Sequence, residues 1–191
     1  MGKMDTAPRV PVESVAQWRE WLEEHAATGD GAWLVLWRPA TGRPRIDYEE
    51  AVLEALCVGW IDGQSKPLDD ERSMLWFAPR SPASAWAATN KARIARLAAE
   101  GRLRPEGQRL VDLARENGMW SVLDGPDAGI EPPALTAALD ADPAARANWD
   151  AFPPSARKIA LTAIAMARKD ETKAARIARI VADAAAGRRP T

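Results

Sequence analysis

One cysteine, one histidine, one tyrosine and two phenylalanines in 191 residues leave this chain short of the side chains on which much enzyme chemistry rests. Cys57 alone cannot close a disulfide within the chain, and with His25 it cannot complete a Cys/His zinc site. No apolar run reaches the roughly 18 residues of a membrane-spanning helix, and "MGKMDTAPRVP" lacks the apolar stretch of a secretory signal. The expectation is therefore a cytoplasmic chain with no membrane insertion. GxSxG, the Walker loop, GxGxxG and HExxH are missing too, so neither a cofactor nor a metal is expected. His25 falls on the apolar side of a helix beside Trp18 and Trp21, and Cys57 at a helix end, where a small thiol packs more often than it reacts.

What the sequence does hold is a folded protein's balance, 47% hydrophobic and 28% charged, which excludes disordered and membrane classes. Nine tryptophans stand out, most of them at helix or strand periods that read as core. The net charge of −1 hides an asymmetry. Residues 157–191 carry nine Lys and Arg against Asp170, Glu171 and Asp183, an excess of six that either meets the acidic remainder or seeks an anionic partner.

Ser14 and Gln17 have capping-box spacing ahead of Val15, Trp18, Trp21, Leu22 and His25, which predicts a helix ending near Gly29. "AWLVLWR" is apolar on both alternating faces and reads as a central strand. Asp47 with Glu50 opens a second helix that Gly59 stops. "WIDGQSK" and "MLWFAPR" flank "PLDDERS" as a hairpin. A helix capped by Ser81 or Ser84 runs to Gly101, and "RPEGQRLVDLARENG" gives another. Beyond "MWSVLDGPDAGIEPP" four segments all read as helical. The fold class predicted is α+β: a small, mainly antiparallel sheet covered by helices, then an all-helical C-terminal module. The expected boundaries are 12–120 for the mixed domain, 121–130 for a linker and 131–188 for the helical module.

An acid inside the hairpin asks for compensation, because a buried carboxylate costs several kcal/mol unless paired. Strand alternation puts Trp60, Asp62, Gln64 and Lys66 on one face, and Met74, Trp76, Ala78 and Arg80 on one face of the partner. One register sets Trp60 across from Arg80 and Gln64 across from Trp76, within reach of a charge-assisted Asp62–Arg80 pair. Helical counting from Trp86 brings Asn90 to the same side, bordered by Arg93. The candidate ligand-binding residues are thus Trp60, Asp62, Lys66, Trp76, Arg80, Ser84, Trp86 and Asn90. The same set also reads as a purely structural brace between helix and sheet.

The stretches "YEEAVLEALCVGWIDG", "LDDERSMLWFAPRSPASAW", "NKARIARLAAEG" and "KDETKAARIARIV" together resemble the bacterial bacteriocin-protection family called YdeI or OmpD-associated, from about Trp18 to Gly187. Glu171, Thr172 and Lys173 stand where that family has an "ETR"-like stretch. Ser84 and Trp86 match its "S-x-W-S", Ala87 replacing the second serine, while Arg38 and Pro39 stand where relatives carry lysines. The resemblance implies an intracellular bacterial protein tied to antimicrobial-peptide or stress protection, with no settled activity. The function expected is non-enzymatic binding of a small anionic ligand or peptide at the Trp/Arg/Asp surface. The alternatives are a nucleic-acid or protein interaction module using the basic last helix, and an enzyme using Asp62. An adjacent arginine would lower, not raise, the carboxyl pKa such an acid needs.

Overall fold

The computed structural model describes residues 2–190, in two units. The first comprises residues up to 84 together with 89–117; the second comprises 85–88 together with 118 onward.

In the first unit, α1 (Lys3–Thr6), β1 (Arg9–Pro11), α2 (Val15–His25) and β2 (Ala32–Trp37) precede α3 (Tyr48–Cys57). The hairpin β3 (Trp60–Pro67) and β4 (Arg72–Pro79) follows, then α4 (Ala88–Ala99) and α5 (Pro105–Glu116). The caps form much as the sequence implies. Ser14 Oγ accepts the Gln17 N–H at 3.3 Å, although the Gln17 carbonyl reaches the Glu13 N–H, not that of Ser14. Glu50 accepts the Asp47 N–H at 3.3 Å, which ties off the start of α3. Gly59, at φ +82°, ends that helix and turns the chain into β3; any side chain there would be strained and would strike Leu110.

The sheet runs β1-β2-β4-β3, with β1 parallel to β2 and the other pairs antiparallel, so it is mainly antiparallel and β2 is central. Both faces are covered. On one, Trp18 of α2 packs on Phe77 of β4, ring centroids 5.2 Å apart, and its Nε1 donates to the Ala51 carbonyl of α3 at 3.1 Å. On the other, Trp33, Val35, Met74 and Trp76 form a second cluster beneath Met4 and Ala7. Each fully buried indole removes roughly 200 Å² from water, on the order of 5 kcal/mol at 25 cal/mol per Å² as an upper bound.

Two sequence expectations need correction. The hairpin pairs Trp60 with Pro79 and Asp62 with Phe77, one residue away from the predicted register, and reaches the expected Lys66–Met74 pairing only after an irregularity between Asp62 and Ser65. Gly63 sits in that irregularity against Trp76, where a Cβ would come within 2.9 Å of the indole. The helix expected from Ser81 or Ser84 begins only at Ala88. The Trp86 N–H is taken by the Met119 carbonyl at 3.0 Å, and residues 85–88 lie in the second unit, so Trp86 precedes the helix on which periodicity had placed it.

The second unit is all helical: α6 (Asp124–Asp127), α7 (Pro133–Asp140), α8 (Pro143–Ala151), α9 (Pro154–Ala165) and α10 (Asp170–Ala185). Prolines 133, 143 and 154 each occupy a first turn, where their missing N–H costs nothing. Residues 121–130, read from sequence as a linker, hold α6 with Pro126 buried. Leu135, Leu139, Trp149, Leu161, Ile164 and Ile180 fill the core. At its edge Glu131 accepts two bonds from Arg146, one from Trp149 Nε1 at 2.7 Å and one from Thr136. No helix of the described residues is long and apolar enough to cross a membrane.

Candidate functional site

Asp62, half-buried near the start of β3, accepts the Tyr48 hydroxyl of α3 at 2.6 Å. Tyr48 is itself half-exposed, and burial followed by this hydrogen bond raises its pKa. Arg93 of α4 lies 5.8 Å over the Tyr48 ring, grips Glu49 through Nε and Nη2, and donates to Asn90 Oδ1 at 2.7 Å. Arg80 is buried, and its guanidinium pKa is lowered by that burial, with the charge on Asp62 acting in the opposite sense. Asp62, Arg80, Asn90 and Arg93 therefore do gather around the start of α3, with Tyr48 and Glu49 as members the sequence reading left out. The signal for them was available: Tyr48 and Glu49 are the first two residues of the helix that Asp47 caps.

The other expected residues go elsewhere. Trp60 shares a sheet face with Asp62 but is 1% exposed, its Nε1 donating to the Ala26 carbonyl at 3.1 Å, so it is core and offers no stacking surface. Trp76 and Lys66 lie on the opposite face, where Trp76 meets Trp33 edge-on at 5.2 Å and the Lys66 ammonium sits 4.2 Å over the Trp33 ring. Ser84 is held in a turn by its N–H on the Ser81 carbonyl. Trp86 packs on Trp120 at 5.1 Å within the second unit. The eight residues do not make one surface.

A concave site lies instead at the other end of α3. Arg19, Leu22 and Glu23 of α2, Glu54 and Cys57 of α3, and Arg102 and Arg104 from the loop before α5 line a cleft of about 360 Å³. Glu54 is its organising residue. Its carboxylate, 4% exposed, receives Arg19 Nε at 2.9 Å on Oε2 and both Arg19 Nη2 and Arg102 Nη2 at 2.6 Å on Oε1. Two guanidiniums thus converge on one oxygen, and Arg102 is fixed further by Glu100 at 2.7 Å. Arg104 pairs with Glu23 on the near rim.

The electrostatics follow from that geometry. Hydrogen bonds to Glu54 and Glu100 raise the pKa of Arg19 and Arg102, so both stay cationic. Cys57 is 5% exposed, and its thiol is pushed up to about 11, mainly by burial and then by the charge of Glu54, despite three arginines acting the other way. Three guanidiniums carry fifteen N–H donors, and the hydrogen bonds to Glu54, Glu100 and Glu23 take five of them. The cleft retains donor capacity toward an incoming anion. The sequence reading passed over Glu54, and Arg19 and Arg102 come from segments 83 residues apart, so nothing local announced the site.

Residues 10–110 match the family described as a domain of unknown function (DUF8412), and residues 129–187 match the family described as bacteriocin-protection, YdeI or OmpD-associated. The resemblance expected over Trp18–Gly187 is thus shown for the C-terminal stretch, while the N-terminal stretch matches a different family. No curated protein and no solved structure matches the chain.

Proposed function

The chain belongs to the family described as a domain of unknown function (DUF8412), and from that premise we propose that it is a non-enzymatic binding protein whose first unit holds a small anion in the arginine cleft. The observation that carries this reading is the convergence of Arg19 and Arg102 on one oxygen of a buried carboxylate. Glu54 fixes both guanidiniums before any ligand arrives, which removes part of the ordering cost that flexible arginines would otherwise lose on binding. Planar forks of this kind suit carboxylate or phosphate oxygens. Cys57, the cleft's one thiol, is kept protonated and so is a poor nucleophile, which supports binding over covalent chemistry. A role related to bacteriocin protection comes with the description matched over residues 129–187.

Titration of the whole protein with inorganic phosphate and with citrate, followed through the arginine Nε–H resonances and by calorimetry, tests the reading. Saturable binding with a Kd on the order of 1 mM or tighter is expected. Arg104→Gln, which leaves the Glu54 bonds intact, should weaken it several-fold. Unchanged Arg19 and Arg102 resonances at saturating anion would overturn it.

A further inference from the structure

The groove between α9 and α10 is apolar along its floor and basic along its rim. Ile159, Ala160, Ala163 and Ile180 supply the floor, and Arg176, Arg179 and Arg189 the rim, around a space of about 360 Å³. Ile159 is one of the large apolar side chains left half-exposed in the described residues. Arg176 of α10 is anchored by its bond to the Ala163 carbonyl of α9, which ties the two helices that flank the groove. Asp183 is the acid in the lining, and it is already engaged by Arg188 at 2.7 Å and by Arg179 at 3.6 Å. A basic rim alone would fit nucleic acid, but phosphates gain nothing from an isoleucine floor, and the lining has no aromatic ring on which a base could stack.

We propose that this groove docks an acidic amphipathic helix of a partner protein, its apolar stripe on Ile159 and Ile180 and its carboxylates on Arg176, Arg179 and Arg189. An apolar stripe in an apolar groove with opposite charges at the edges is the arrangement by which helices are recognised in grooves. The site lies in the second unit and stands independently of the arginine cleft.

The test uses the full chain and a fluorescently labelled synthetic peptide with leucines at i, i+3, i+4 and i+7 and glutamates elsewhere, read by anisotropy. Saturable binding is expected, with loss of about tenfold or more in affinity for Ile159→Glu and for Arg179→Glu, as for central and charged contacts of an interface. Both side chains are exposed, so melting temperatures should hold; if Arg179→Glu melts lower through its neighbour Asp183, Arg179→Gln replaces it. Equal binding of a scrambled peptide of the same composition, tighter binding of a single-stranded oligonucleotide, or indifference to Ile159→Glu would each overturn the proposal. So would sedimentation showing that the chain self-associates through this face, with Ile159→Glu restoring the monomer.

Discussion

Cys57 lies among three arginines, a setting that ordinarily favours a thiolate, yet burial and Glu54 win and the thiol is raised to about 11. Against an unfolded value of about 8.5, the thiolate fraction at pH 8 falls roughly 240-fold. Native protein should therefore react with iodoacetamide at pH 8 at least about 100-fold more slowly than unfolded protein. The sign also fixes an alkaline effect: with the folded pKa raised, the contribution is full below about pH 8.5 and is lost as pH climbs toward 11. At Asp62 the hydroxyl of Tyr48 is the direct partner, so Tyr48→Phe should cost about 1 kcal/mol in denaturant unfolding. The sequence made that acid conspicuous, because a carboxylate between Ile61 and Gly63 on a strand demands a partner. It could not say which partner, because a one-residue shift at Gly63 decides which side chains face each other.

Helix α3 is the element on which the first unit turns, buried at every position from Ala51 to Cys57, Glu54 included. Its stability effects should be asymmetric. Removing both Arg19 and Arg102 strands a carboxylate that is 4% exposed, whereas removing Glu54 leaves arginines that can swing into water. The double variant Arg19→Ala/Arg102→Ala should lose about 3–5 kcal/mol, and Glu54→Met much less, since replacing a buried ion with an apolar side chain is often close to neutral. Chemical denaturation of the three proteins at pH 7 checks the order. In the second unit Arg146 holds the Glu131 carboxyl below its usual range, with Trp149 and Thr136 adding to the shift. Because the folded value is lowered, the stabilisation is present above the unfolded value near pH 4.3 and disappears as pH falls through the folded one. Glu131→Gln should flatten the acid limb of a melting-temperature profile between about pH 5 and 3. Caps, proline first turns and the central strand were legible because they depend on neighbours in sequence. The start of α4 was not, since the Trp86 N–H is committed to Met119 more than thirty residues away.

At the scale of the whole molecule, the structure divides just after α5, between residues 117 and 118, with the four residues 85–88 grouped in the second unit. That exchange is invisible to composition, as Ala85–Ala88 look like any helix start. Of the charge excess of residues 157–191, Lys158 meets an acid from outside the stretch, Asp127, while Asp170 and Asp183, already counted in that excess, pair with Lys173 and Arg188. Deleting residues 170–191 should remove more helix by circular dichroism than α10 itself contributes, because Ile180 and Ala184 cover the core around Leu135 and Trp149. The sheet, finally, is blunted on both sides. One flank is the three-residue β1, ending in Pro11; the other is β3, interrupted at Gly63 and closed by Lys66 and Pro67. Neither offers a long, straight row of amide groups, so a stray extended peptide finds no template there, and the tryptophan-rich interior stays guarded against fibril-like growth even at high concentration.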